Sequence, residues 1–261
     1  MCAGGSCVMY LTLALFIAMA TSFNSRAETR LQSSTSFLSD ELRARQNDET
    51  VNPGMLWVGE GEELWRTIGG AEGKSCASCH GDAEKSMKGV AARYPAVDPE
   101  TGKLLNLELR INKCRSERQK AEAFGYESEE MLAMTTYIAR QSVGLPLSVS
   151  AGGPAAAYYE KGRSLFYLRQ GQINLSCAQC HEDNTGRRLR GDVISSAVVT
   201  GYPAYRLEWQ TLGSLHRRLR ACSLGVRAIQ FPYGSDEYLS LELFLAKRSE
   251  GLPLEAPAIR K

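Results

Sequence analysis

Most of this chain sets its apolar residues at helical rather than strand spacing. The exception comes first: residues 8–20, VMYLTLALFIAMA, form an unbroken apolar run. It is shorter than the roughly 20 residues a membrane-spanning helix needs and fits the core of an export signal. Ser25-Arg26-Ala27 has the small-x-small form of a cleavage site, so residues 1–27 are predicted to be a cleaved signal peptide. Met1 to Tyr10 lacks the Lys or Arg that usually precedes such a run, which leaves a retained anchor as the alternative.

Beyond residue 27 the pattern repeats itself. Helices are predicted at about 59–69 and 156–170, where GEELW (61–65) and GRSLF (162–166) occupy equivalent places. Gly61, Leu64, Trp65, Gly70 and Cys76 match Gly162, Leu165, Phe166, Gly171 and Cys177 at an offset of 101. Further on, Tyr94-Pro95-Ala96 matches Tyr202-Pro203-Ala204 at 108, so the second copy carries a seven-residue insertion. Each copy closes on a helix with one apolar stripe, Met131, Met134 and Ile138 or Tyr238, Leu241 and Leu245. Ser128 and Ser235 stand where N-caps belong, and Gly144-Leu145-Pro146 and Gly251-Leu252-Pro253 stop the helices. The reading is a mainly α protein of two tandem domains related by internal duplication. The domains are placed at 28–147 and 158–261, joined by the small-residue linker 148–157.

Composition narrows the chemistry. With 43% hydrophobic and 23% charged residues, the chain is neither disordered nor membrane-embedded. A net charge of +2 gives no footprint for nucleic acid. Eight Cys against three His is the informative contrast. Cys2 and Cys7 leave with the signal, and four of the remaining six lie in CASCH (76–80) and CAQCH (177–181).

A C-x-x-C-H run is the attachment motif of a c-type haem. Two thiols three residues apart lie on one helical turn and reach the two vinyl groups, and the next residue presents imidazole to iron. Two covalently bound haems c are expected, on Cys76, Cys79 and on Cys177, Cys180, with His80 and His181 as axial ligands. A zinc, redox or disulfide CxxC is the bland reading, and two copies each followed by His argue against it. GGAEGKS (69–75) lacks the first glycine of a phosphate loop and reads as a flexible entry to the first motif.

Each iron still has a second axial position. Only His216 is left, so two bis-His haems are impossible, and Met is absent after Met134. Cys114 and Cys222 each follow the repeated Tyr by 20 residues and each has an Arg four residues earlier, Arg110 and Arg218. An i, i+4 spacing puts Arg and Cys on one helix face, and a guanidinium lowers a thiol pKa. His/Cys ligation is therefore inferred in both domains, against the alternative of a Cys114–Cys222 disulfide. A thiolate ligand drives a haem potential strongly negative. His216 reads as a surface residue. With Arg217, Arg218 and Arg220 it forms a basic run expected to surround Cys222 and attract an anion; the first copy has no such run.

In both CxxCH motifs, the YPAY segment (202–205) and Arg218-x-x-x-Cys222, the chain resembles the SoxA family, dihaem cytochromes of periplasmic sulfur oxidation. The resemblance implies two cytochrome c-like domains, a heterodimer with a small monohaem SoxX-like subunit, and L-cysteine S-thiosulfotransferase activity. Thiosulfate would be joined oxidatively to a cysteine of a SoxYZ-like carrier, with electrons passing to a soluble cytochrome c. It also implies a catalytic second haem ligated by His181 and Cys222, a persulfide on Cys222, and Arg218 binding the substrate anion. His80 and Cys114 would ligate the first haem. A thiosulfate dehydrogenase releasing tetrathionate and a non-catalytic electron-transfer cytochrome remain the alternatives.

Overall fold

The computed structural model describes residues 31–261. The predicted signal peptide, residues 1–27, lies outside them. No helix among the described residues is long and apolar enough to cross a membrane.

The fold is mainly α, as the spacing predicts, and the duplication is visible in it. In the first copy α1 (Asp40–Asn47) leads to α2 (Met55–Arg66), the motif turn α3 (Cys76–His80), α4 (Ala83–Ser86), α5 (Leu107–Cys114) and the closing α6 (Glu129–Arg140). In the second, α7 (Ala156–Tyr167), the motif turn α8 (Cys177–His181), α9 (Leu215–Gly225) and α10 (Asp236–Arg248) follow in the same order. The expected N-caps are in place, with Ser128 accepting from Met131 N–H and Ser235 from Tyr238 N–H. The entry helices α2 and α7 each end about three residues earlier than predicted, where Thr67 and Leu168 turn extended.

Within each copy the entry helix packs on the closing helix, α2 on α6 and α7 on α10. The close approach depends on one glycine apiece. A Cβ on Gly61 would sit 2.3 Å from the Ala133 carbonyl oxygen, and one on Gly162 would sit 1.9 Å from that of Ser240. The stripe residues then fill the core. Met131, Met134 and Ile138 pack with Trp65 and Ile111, and Leu241 and Leu245 pack with Phe166 and Phe244.

The two copies are joined through the segments that stop α6 and α10. Gly144 N–H donates to the Leu254 carbonyl and Gly251 N–H to that of Leu147. Leu147 N–H donates to Leu252 and Leu254 N–H to Leu145. Each bond maps onto its partner when residue numbers are exchanged between copies, so the two Gly-Leu-Pro segments clasp about a local two-fold axis. A cavity of about 70 Å³ lies on the same seam, lined by the pairs Tyr94 and Tyr202, Leu147 and Leu254, with Glu108 and Glu242.

Strands are short. The hairpins β1 (Ala96–Val97) with β2 (Leu104–Leu105) and β3 (Arg188–Leu189) with β4 (Asp192–Val193) are antiparallel. A three-stranded sheet of order β6-β5-β7, built from β5 (Ala204–Arg206), β6 (Thr211–Gly213) and β7 (Ala258–Arg260), belongs to the second copy. It went unpredicted because its strands are three residues long and β7 pairs parallel to β5 from over 50 residues away, leaving no local pattern. The segment before α2 covers its edge: Gln46 Oε1 accepts from Ile259 N–H at 3.0 Å, and Asn52 Nδ2 donates to the Pro257 carbonyl.

Candidate functional site

Both motif turns are built alike. Ser75 and Ser176 cap them with reciprocal bonds to Ser78 and Gln179, so the two thiols and the His of each motif project from one rigid turn. The segment before each turn is ordered rather than flexible as expected at 69–75. Gly70 and Gly171 adopt positive φ and approach the carbonyls of Gln119 and Val226 so closely that a Cβ would sit 2.1 and 2.0 Å away. Those carbonyls belong to the chain just beyond the Cys-bearing helices α5 and α9. This close approach therefore locks each Cys helix to its own motif turn.

This brings Cys114 beside Cys76 and Cys222 beside Cys177, Cys180 and His181. All six cysteines among the described residues are free thiols, and Cys114 and Cys222 belong to separate sites, so the inter-domain disulfide is not formed. The second site gathers two thiols, the His181 imidazole and the Cys222 sulfur beside an apolar cluster; the first gathers the thiols of its motif with the Cys114 sulfur, and His80 ends the same turn. That set fits a covalently attached haem with His/Cys axial ligation.

The second site is the more completely organised. His181 donates from Nδ1 to the Ser195 carbonyl at 2.7 Å, which fixes the ring and leaves Nε2 for a metal. Ser195 lies in the longer loop of the second copy, just past the β3–β4 hairpin into which the insertion folds. His80 is exposed and has a ring contact with Trp65 at 5.8 Å, but no side-chain hydrogen bond among the described residues.

Electrostatics separate the sites further. Burial alone would raise the Cys222 thiol, but Arg218, the imidazole of His181 within hydrogen-bonding reach, and Arg206 bring it down to about 7. By contrast burial, with the Cys222 charge adding to it, pushes Cys177 up to about 12. Arg218 has no carboxylate within ion-pair distance among the described residues, whereas Arg110 is taken by Asp98 at 3.4 Å.

The basic run does not surround Cys222 as expected. Successive residues of a helix point about 100° apart, so only Arg218, at i−4, shares its face. Arg217 lies over Trp209 at 4.3 Å, and Arg220 over Tyr233 at 4.7 Å. His216 is buried, not on the surface. It stacks on Tyr126, accepts from Gly234 N–H at Nδ1, and places Nε2 2.9 Å from Glu242 at the seam between copies. Its first-copy counterpart Glu108 is also buried, and that burial, with Glu242 nearby, pushes its carboxyl up to about 8. Arg206 was missed altogether, because in sequence it is a lone arginine in a strand 16 residues from Cys222.

A duplicated α fold with two CxxCH turns, each faced by a cysteine, defines a tandem c-type cytochrome. The SoxA/TsdA cytochrome c domain matches the chain twice, at residues 60–147 and 161–254. The L-cysteine S-thiosulfotransferase subunit SoxA of Pseudaminobacter salicylatoxidans is 42% identical over 86% of this chain and 79% of its own length. The same-named subunit of Rhodovulum sulfidophilum is 40% identical over 88% of this chain and 80% of its own length. The crystal structure of SoxXA from P. pantotrophus superposes with a TM-score of 0.85 at 39% identity, covering 88% of this chain and 87% of that one. The chain belongs to the SoxA family.

Proposed function

We propose that this protein conjugates thiosulfate oxidatively to a cysteine of an acceptor protein, and that the chemistry takes place at Cys222. The observation that carries this reading is the pairing of Cys222, with His181 in hydrogen-bonding reach, with an Arg218 that has no carboxylate within ion-pair distance among the described residues. The names of the relatives, L-cysteine S-thiosulfotransferase subunits, support it.

Cys76 and Cys79 would hold one haem c and Cys177 and Cys180 a second, with His80 and Cys114, and His181 and Cys222, as axial pairs. When bound, haem supplies one-electron acceptance beside the sulfur of Cys222. Arg218 holds the thiosulfate dianion with its outer sulfur towards the Cys222 thiolate. A sulfur–sulfur bond forms between them, giving Cys222–S–S–SO3⁻, and two electrons leave for a soluble cytochrome c. The acceptor thiolate then attacks the sulfur next to Cys222. The Cys222–S bond breaks, the –S–SO3⁻ group moves to the acceptor, and Cys222 returns as thiolate. The apolar wall excludes water, and Ser195 keeps the His181 ring fixed throughout.

The SoxXA complex of the superposed relative supports a monohaem SoxX-like partner for this chain. A SoxYZ-like carrier fits as acceptor. We place the domains at 28–147 and 158–261 and the mature protein in the periplasm. The test is a product assay with thiosulfate and oxidised cytochrome c, with and without a cysteine-bearing carrier. Carrier-bound thiosulfonate is the expected product. Tetrathionate formed without carrier indicates a thiosulfate dehydrogenase, and haem reduction with neither product leaves an electron-transfer cytochrome.

A further inference from the structure

We propose that Arg206 is a second anion-binding arginine of the Cys222 site, gripping the sulfonate end of thiosulfate together with Arg218. This rests on the functional reading above and names the residue that completes its substrate site.

The duplication carries the argument. Counting from the repeated Tyr-Pro-Ala, position 206 of the second copy corresponds to position 98 of the first. There the residue is Asp98, whose side chain is 1% exposed and meets Arg110 at 3.4 Å, with Lys113 at 3.6 Å. In the first copy this position thus faces the arginine of the Cys-bearing helix. In the second copy the position holds a guanidinium instead of a carboxylate. Where the first copy sets a carboxylate against the arginine of its Cys-bearing helix, the second copy carries a second positive charge at the equivalent position.

Arg206 is poorly satisfied within the protein. It is 5% exposed, and its Nε is buried without a hydrogen-bond partner. One Nη reaches Glu208 at 3.4 Å, but that carboxylate is 53% exposed and so only weakly paired. The face of Trp209, 5.1 Å away, holds the guanidinium in place. A buried charge with an idle donor is costly unless something answers it. The strand that carries Arg206, β5, pairs with β6, which runs directly into the helix α9 that carries Arg218 and Cys222, and Trp209 packs against both Arg206 and Arg217 of that helix. A sulfonate offers three acceptor oxygens in a triangular array, which suits two guanidinium forks better than one. Held this way, the outer sulfur is left free towards Cys222.

The experiment uses the haem-loaded complex, with Arg206→Gln and Arg206→Lys compared with wild type. Thiosulfate KM and acceptor KM are measured separately, alongside the haem spectrum. Arg206→Gln is expected to raise the thiosulfate KM about ten- to hundredfold. The acceptor KM should stay within about twofold, since a charge-assisted contact to the small anion alone is lost. Arg206→Lys keeps the charge but not the fork, and a rise of about threefold or more is expected. An unchanged thiosulfate KM, or two KM values that rise together, overturns the proposal. If Arg206→Gln does not accumulate, the lysine variant decides by the same criterion. If wild type forms no conjugate, the functional reading falls and Arg206 is judged by calorimetric binding of thiosulfate. Equal affinity in wild type and variant then overturns it.

Discussion

The two copies share a scaffold and differ in what they do with charge. In the first, Arg110 is answered by Asp98, and Lys113 adds Glu100 and Glu117 to the same network. In the second, Arg218 and Arg206 belong to the Cys222 side, and the one acid within ion-pair distance of either among the described residues, Glu208, is half in solvent. His181 is pinned by Ser195, and His80 has no equivalent hydrogen bond among the described residues. The difference shows how a duplicated site is turned towards chemistry. The helices, caps and glycine contacts are kept, and the charges around the cysteine are reassigned. A neutralised site suits holding a haem; one with spare positive charge suits holding an anion next to it.

The largest effect should come from the cysteines. Cys222→Ala is expected to abolish conjugation while intact mass still shows both haems attached; retained turnover would remove Cys222 from the chemistry. Paramagnetic resonance of Cys222→Ala and Cys114→Ala should each show the loss of one thiolate-ligated signal, and a single signal lost in only one variant would break the equivalence of the sites.

Next in size is the arginine pair. Arg218→Gln should raise the thiosulfate KM at least tenfold, as expected for a lost charge-assisted contact. Arg110→Gln leaves Asp98 still paired with Lys113 and should leave the thiosulfate KM unchanged. Equal effects of the two on thiosulfate KM would contradict the division of roles.

The scaffold, in contrast, should respond alike in both copies. Gly61→Ala and Gly162→Ala each push a methyl group into a carbonyl and should cost about 1–3 kcal/mol by overpacking. At this chain length that corresponds to a melting-temperature loss of about 2–4 °C per kcal/mol, read by circular dichroism. A large loss in one copy only would show that the second helix crossing is not a replica of the first.

The smallest effect concerns the seam. Glu108 faces Glu242, with Glu127 contributing, and its carboxyl is raised to about 8 in the folded protein. A raised carboxyl favours the protonated fold, so its contribution is full below the unfolded value near 4.5 and is lost as pH climbs through about 8. Glu108→Gln, which mimics the protonated form, should therefore gain in melting temperature over wild type between pH 5 and pH 9. A gap that does not widen with pH would place the titration elsewhere.

The local elements of the fold were legible in the sequence. The caps at Ser128 and Ser235 depend on short-range hydrogen bonds, and the CxxCH turns on spacing within five residues. Cys114 and Cys222 could be found because duplication marks equivalent positions even when their contacts are remote. What escaped were features set by tertiary placement. His216 looked like part of a basic surface run, but one residue of that run had to face the seam, and the helix rotates His216 into it. Arg206 was hidden although a signal existed: the Asp98-to-Arg206 exchange is visible at the constant offset of 108. Reading a repeat for where its copies disagree in charge would have found it.

The clasp between the two Gly-Leu-Pro segments has reciprocal bonds, residue i to j and j to i, as in the isologous interface of a symmetric dimer. In such a dimer one gene encodes both halves, so each substitution appears at both sites and any gain at one is imposed on the other. Linking the halves in one chain lifts that constraint while leaving the interface intact. An acid at 98 and a base at 206 can then coexist in one molecule, which a homodimer could not have encoded. The clasp keeps the copies in register, and the covalent link makes their asymmetry heritable.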